Sequence, residues 1–361
     1  VEQAHWGGDY EAASVVCGTS AVNGLGFTPH QIWAFRRAEL TPFAEAPFMC
    51  ANGFRTTLAH VRTLPPRMVG VDRMIALATQ ALEPIIASLA ALPAGARLDF
   101  ALCMPERFAG DPTRGDVPRE RRMLENALSE IVKVARPGVA LKPHARGHAS
   151  LASAMMATGA SLAKREIDVA IVGGVDTYYD PEVIDRLVTE HRIFDGENLD
   201  TFIPGEGAAF LLTARRDMAK RCRWPGLARI EAAVTGREPA SLHTQLPNLA
   251  LGMSRVMRAI SDRLKKERRF VDLWLSDVTN ENYRVHEWLL AFPRASAGVC
   301  RDETDVQFLP VLLGDLGAAT MATGAVLGIE AFVRGDPQAR TCVVTGASEL
   351  RDRGAVLLAA E

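Results

Sequence analysis

Apolar and polar positions fall along this chain in blocks that read alternately as strands and helices. Asp168 to Val172 is a short apolar run ending at Gly173-Gly174, the pattern of a strand buried on both faces. A helix begins at Asp180-Pro181, and a second strand follows Pro204-Gly205-Glu206-Gly207. Upstream, the same reading gives a strand from Ser14 to Gly18, then a turn containing Gly24 and Gly26. It continues with a helix from Asp72 to Leu89, a strand from Leu98 to Met104 and a helix from Pro118 to Val134. From Leu227 the pattern restarts with the strand LARIEAAVTG, a helix over 250–266, and strands from Val271 to Leu275 and Val306 to Val311. Strands alternating with long helices predict an α/β fold.

Two distant segments share this pattern. Met156-Ala157-Thr158-Gly159-Ala160 recurs letter for letter as Met321-Ala322-Thr323-Gly324-Ala325. Each follows a glycine and a polar residue, Gly147-His148 or Gly314-Asp315, and each leads to an apolar strand ending in glycine. The matching order of turn, helix, strand and glycine predicts an internal duplication. The halves are about 11–220 and 221–361. Their two helices, His148 to Ala163 and Gly317 to Phe332, carry small or apolar residues on nearly every side. They are expected to be buried and to pack closely at the centre of a layered structure.

Composition narrows the function classes. With 361 residues, 48% of them hydrophobic and 23% charged, the chain has the balance of a globular protein with a sizeable core. A net charge of -2 does not favour nucleic acid as a partner. The six cysteines are scattered without a CxxC pair, which argues against a zinc site or a disulfide framework and for a reducing, cytoplasmic setting. No apolar run reaches spanning length, so no membrane span is expected. The opening VEQAHWGGDY is polar and is not a signal peptide; residues 1–10 read as a tail or an expression remnant.

Motif chemistry is sparse. CGTSAVNGLG has the wrong spacing for a dinucleotide fingerprint and lacks a Walker A lysine, so it reads as a tight turn. His144 and His148 stand four apart, as in HExxH, but Pro143 and Gly147 oppose a helix there and no glutamate lies between them. Ser150 reads as a helix cap and Glu206, between glycines, as structural. The run Lys265-Lys266-Glu267-Arg268-Arg269 reads as a solvated helix end, with a docking patch as the alternative. Arg215-Arg216 and Lys220-Arg221 read as the join between halves.

The stretches IDVAIVGGVDTYYDPEVIDRL, FIPGEGAAFLLT and GDLGAA together resemble β-ketoacyl synthases, the condensing enzymes of the thiolase superfamily. The resemblance implies a thiolase-like α/β fold of two pseudo-twofold-related halves in a layered αβαβα arrangement. It also implies a reactive cysteine at a helix N-terminus, where the dipole lowers the thiol pKa, two polarising histidines, and backbone N–H groups around an oxyanion. At the corresponding positions this chain carries His148, Asp277 and Asp315, and Ala347 to Asp352 replaces the closing GFGGxN loop. A histidine at a helix N-terminus is biased towards neutral, and aspartates repel a developing oxyanion.

The resemblance therefore implies a protein that has lost the Cys-His-His condensing triad, with no catalytic residue assigned. One histidine and two carboxylates can hold a divalent metal, act as a base pair, or hydrogen-bond one another in a filled pocket. The set has no second histidine or cysteine, so no metal and no cofactor is expected. A narrower resemblance is to thiolase-like proteins lacking the catalytic cysteine, found near type VI secretion genes in Gram-negative bacteria. It implies a binding or scaffolding role with a secretion effector or adaptor. The alternatives are a β-ketoacyl-[acyl-carrier-protein] synthase or acyltransferase using an acyl carrier protein, and a chain-length-factor-like partner of an active ketosynthase. The resemblance further implies a homodimer, or a heterodimer with a homologue, formed through an edge strand near Val169 to Gly173 or just before it.

Overall fold

The computed structural model describes residues 14–110, 116–335 and 339–361; the terminal stretch 1–10 lies outside them. The first half runs β1 (Ser14–Asn23), α1 (Pro29–Arg37), β2 (Phe43–Met49), β3 (Arg55–Ala59), α2 (Gly70–Ser88), β4 (Leu98–Cys103) and α3 (Arg119–Ala135). It continues with β5 (Ala140–His144), α4 (Ser150–Ala163), β6 (Val169–Thr177), α5 (Pro181–Thr189), β7 (Glu206–Arg215) and α6 (Arg216–Cys222). The second half runs β8 (Ala228–Arg237), α7 (Leu251–Glu267), β9 (Leu273–Ser276), α8 (Asn282–Ser296), β10 (Asp305–Phe308), α9 (Leu309–Leu313), α10 (Thr320–Val333), β11 (Thr341–Ala347) and β12 (Asp352–Ala360).

Ten strands form one mixed sheet in the order β10-β9-β11-β12-β8-β1-β7-β6-β4-β5. Read outward from the middle, β1-β7-β6-β4-β5 and β8-β12-β11-β9-β10 repeat each other position for position. Between β1 and β8 the ladder is reduced to Val16 opposite Ala228, so the sheet divides there into two five-stranded leaves. Helices α4 and α10 each touch strands of both leaves, whereas α2 and α3 cover one leaf and α7 and α8 the other. The five alternating layers are those expected. Three apolar clusters follow from them: one around α4 and α10, and one beneath each outer helix pair.

The sequence pattern accounts for most elements. At α5, Asp180 Oδ1 accepts from the backbone of Glu182 and Val183, and Pro181 occupies the first turn. Along α10 every side chain from Thr320 to Ala331 is buried. Helix α4 departs from expectation. Its side around Ser153, Met156, Ala157, Ala160 and Ser161 is partly or fully exposed.

Other boundaries also move. β1 extends five residues past Gly18, since Thr19 to Asn23 complete an antiparallel ladder with β7; small polar residues there imitate a turn. The strand expected from Val306 to Val311 stops at Phe308, where Pro310 opens the short helix α9. By length and apolar composition alone, the stretch Gly70–Ala91 meets the measure of a spanning helix, contrary to the sequence expectation. In the fold its apolar face, including Met74, Leu77, Ala81 and Ile85, packs on the first leaf.

Val169 to Gly173, one of the two places expected for an edge, lies inside the sheet between β4 and β7. The edge of this leaf is β5, which precedes β6 in the chain with α4 between them. The His144 carbonyl accepts from Met104 on the inner side. By strand alternation, Leu141 and Pro143 turn their backbone groups outward, and Pro143 presents no N–H there.

Candidate functional site

A single 3-10 turn, Gly147–Ala149, leads from β5 into α4. Gly147 has φ +52, and a Cβ there would lie 2.7 Å from Glu106 Cγ, so only glycine serves. Ser150 does not cap α4 as expected. Its hydroxyl accepts from Arg146 N and donates to the His144 carbonyl, both at 2.9 Å, which ties the turn to the end of β5. The Ala149 amide donates instead to Ser348 Oγ at 3.1 Å, from the loop between β11 and β12. The related turn in the second half, Gly317–Ala319, is held in the same way: Ala318 N donates to Asp176 Oδ2 at 2.9 Å. Duplicated turns thus bring the start of α4 and the start of α10 together.

These turns place His148 against Asp315. His148 Nε2 lies 2.7 Å from Asp315 Oδ1, with both side chains almost wholly buried. The same carboxylate accepts from Gly317 N at 2.9 Å and from the Tyr178 hydroxyl at 3.3 Å. Burial by itself would push His148 towards neutral, but the neighbouring Asp315 carboxylate outweighs it and raises the imidazole pKa. The helix dipole biases the histidine towards neutral, and the aspartate, at contact distance, acts in the opposite direction. Asp315 is held well below the usual carboxylate range despite its burial, chiefly by His148.

Asp277 does not join this pair directly. Its Oδ2 accepts from Ala347 N at 2.7 Å and from Arg284 Nη1 at 3.3 Å, and burial pushes its pKa up against the pull of Arg284 and His148. Arg284 also donates to the Ala347 carbonyl at 2.6 Å. Among the described residues, Asp277 Oδ1 and Arg284 Nη2 have no hydrogen-bond partner. Buried water is the ordinary way to satisfy such atoms.

A cleft of about 210 Å³ opens onto His148, lined also by Glu106, Arg107, Asp176, Tyr178, His243 and Glu349. Glu106 accepts from the amides of Glu349 (2.9 Å) and Leu350 (3.3 Å), fixing the loop after β11; burial raises its pKa. Asp176, also raised by burial, is met by Arg107 at 3.1 Å. Glu349 pairs with Arg192 at 2.8 Å, and Arg192 with Glu281 at 2.6 Å. No cysteine lines the cleft. Among the described residues no group of three or more histidine, cysteine and carboxylate side chains is arranged to hold a metal ion.

No protein-family model and no curated protein sequence matches the chain. Solved structures do. The ishigamide ketosynthase/chain length factor aligns with 97% of this chain and 100% of its own, at TM-score 0.76 and 16% identity. A type II polyketide synthase ketosynthase in complex with its acyl-carrier protein aligns over the same shares, at TM-score 0.76 and 13% identity. The ketosynthase from module 6 of the bacillaene synthase of Bacillus subtilis 168 aligns with 97% of this chain and 72% of its own, at TM-score 0.71 and 12% identity. This chain has the ketosynthase fold. At these identities the likeness establishes the architecture, and the chemistry must be read from the side chains.

Within the ketosynthase fold, sequence reasoning had singled out His148, Asp277 and Asp315 but not the groups around them. Arg284 lies in a helix whose pattern was not recognised. Asp176 is the penultimate residue of β6, Tyr178 is the first residue beyond it, and Glu106 is the third residue beyond β4. Position at or just past the C-terminal end of a strand was the signal that would have found them.

Two further expectations come to rest elsewhere. His144 sits at the end of edge strand β5, hydrogen-bonded to Ser153 Oγ at 2.9 Å, with its pKa lowered to about 4 by burial and nearby Arg146 and Lys142. Glu206 is wholly buried on Arg73.

Proposed function

We propose that this chain is a non-catalytic member of the ketosynthase fold that works by binding a partner. One observation carries the reading. The buried group at the start of α4 is an imidazole engaged by Asp315 at 2.7 Å, where acyl transfer needs a free, strongly nucleophilic thiolate. Its Nε2 is engaged by the Asp315 carboxylate and is not free to attack a thioester. The amide of Ala347, at the rim of the loop after β11, is already bound to Asp277 and so is not free to stabilise an oxyanion. The cleft is small and polar, ill suited to a long acyl chain.

The purified protein is expected to form no adduct with acyl-CoA or acyl carrier protein, and no ketoacyl product with the malonyl donor. Intact mass and product chromatography test this. A stable acyl group on His148, or product, would establish the enzyme alternative. His148→Cys alone is expected to remain inactive, since Asp277 and Asp315 stay in place.

The partner reading takes support from the fold's other members, one of which is a ketosynthase/chain length factor pair and one a ketosynthase with a carrier protein. For this chain we infer assembly as a homodimer, or with a ketosynthase-fold homologue, through the β5 margin. Light scattering at micromolar concentration is expected to give twice the chain mass; a monomer would leave only the heteromeric form. Handling of a secretion effector is a narrower version of the same binding role. Co-purification with neighbouring gene products would separate it from a chain-length-factor role.

A further inference from the structure

The outer surface of α7 stands apart from the cleft. Its exposed positions are Leu251, Arg255, Arg258, Asp262, Lys265 and Lys266, followed by Glu267 and Arg268. Steps of three and four residues place the first five of these on one stripe of the helix. Arg255, Arg258, Lys265, Lys266 and Arg268 make no ion pair among the described residues. Of the acidic residues there, Glu267 is already paired with Arg263 and Arg269, which leaves Asp262. The face is thus locally cationic on a chain whose net charge is -2.

One end of this stripe is apolar. Leu246, Leu249, Leu251 and Leu289 are all about half exposed or more. Their proximity is fixed by hydrogen bonds: Arg294 Nη1 donates to the Leu249 carbonyl at 2.8 Å, and Asn248 Nδ2 to Glu287 Oε2 at 3.1 Å. The loop before α7 therefore lies along α8, whose outer stripe is Asn282, His286, Leu289 and Pro293. The result is a cluster of leucines beside a run of arginines and lysines on two helices packed as one layer.

We propose that the α7–α8 face is a peripheral docking surface for an anionic lipid bilayer. The leucines enter the boundary between headgroups and acyl chains, and the cations meet lipid phosphates. Two features favour lipid over an acidic protein. The anchors are leucines, which are under-represented among the residues that dominate protein interfaces and are regular membrane-facing residues of interfacial helices. The cations are spread along a whole helix rather than gathered at a pocket, the pattern that reads a charged surface. Docked in this way, the protein is held by a rigid face of its second half, whatever the cleft does.

Co-sedimentation with vesicles tests the proposal. The intact protein is expected to pellet with vesicles of phosphatidylglycerol and phosphatidylcholine at low salt, to be released by high salt, and to stay in solution with phosphatidylcholine alone. Each cation removed is expected to weaken partition roughly five-fold. Arg255→Glu with Arg258→Glu should therefore abolish it, and Leu249→Ser with Leu289→Ser should weaken it at constant charge. Unchanged circular dichroism melting establishes that the variants are folded. No pelleting by the parent protein, or full pelleting by the charge-reversed variant, would overturn the assignment. So would unaltered binding of the serine variant together with equal affinity for heparin, which would make the face a general polyanion surface.

Discussion

Asp315→Ala is expected to destabilise the protein by roughly 3–5 kcal/mol, the usual consequence of removing one partner of a buried ion pair. The alanine strands His148, whose side chain is about 3% exposed, and frees the Tyr178 hydroxyl and the Gly317 amide. Urea denaturation measures the loss. Its pH dependence identifies the cause. His148 has a raised pKa in the fold, so its contribution is fully present below about 6.5, its value in the unfolded chain, and is lost as pH rises through the folded value. Asp315 has a depressed pKa, so its contribution is present above about 3.9 and is lost as pH falls through its folded value. The gap between parent and variant should therefore be wider at pH 5 than at pH 8. A gap independent of pH across that range would show that packing, and not the charge pair, is what the substitution removed.

Glu206→Ala is expected to cost a comparable amount, roughly 3–5 kcal/mol, or to prevent folding. Glu206 accepts from Arg73 Nε at 2.6 Å and Nη2 at 2.8 Å, from Val61 N at 2.7 Å and from Thr177 Oγ1 at 2.7 Å. Arg73, itself almost wholly buried, also stacks on Tyr179 with its guanidinium 4.0 Å from the ring centroid. This one carboxylate ties β7, α2, the end of β6 and the segment after β3. With it gone, a guanidinium is left buried and unpaired. Glu206→Gln keeps only one of the two acceptor oxygens, turns an NH2 towards groups that are themselves donors and loses the charge, so it is expected to recover little of the stability lost in Glu206→Ala. Arg73→Met combined with Glu206→Leu should recover part of the stability lost in Glu206→Ala, because an apolar pair carries no unmet charge. Thermal melting of the three variants reads the order. A double variant less stable than Glu206→Ala would show that the pair's hydrogen bonds, and not its charges, hold these elements.

The two carboxylates differ in what announced them. Glu206 was legible as structural because it lies between two glycines at the mouth of a strand, a local feature. Asp315 was legible as a site position only through its place after Gly314, and the sign of its effect on His148 was not. That sign depends on a distance across 167 residues of chain. The dipole argument was local and took no account of a carboxylate at 2.7 Å, which acts the other way.

Hydrophobic periodicity and glycine punctuation act over a few residues, so the fold class, the repeat and the order of most elements were legible along the chain. The sequence misplaced the ends of β1 and the strand at β10, where small polar residues or a proline blur the period. It left α8 unassigned, and with it Arg284. Only the tertiary structure decided that Asp277 answers to Arg284 and Ala347 while Asp315 answers to His148. It alone set Glu106 to hold the loop after β11, and put the leucines before α7 beside that of α8. Each of these depends on segments brought together by sheet pairing and helix packing, and charge, burial and hydrogen bonding act through space rather than along the chain.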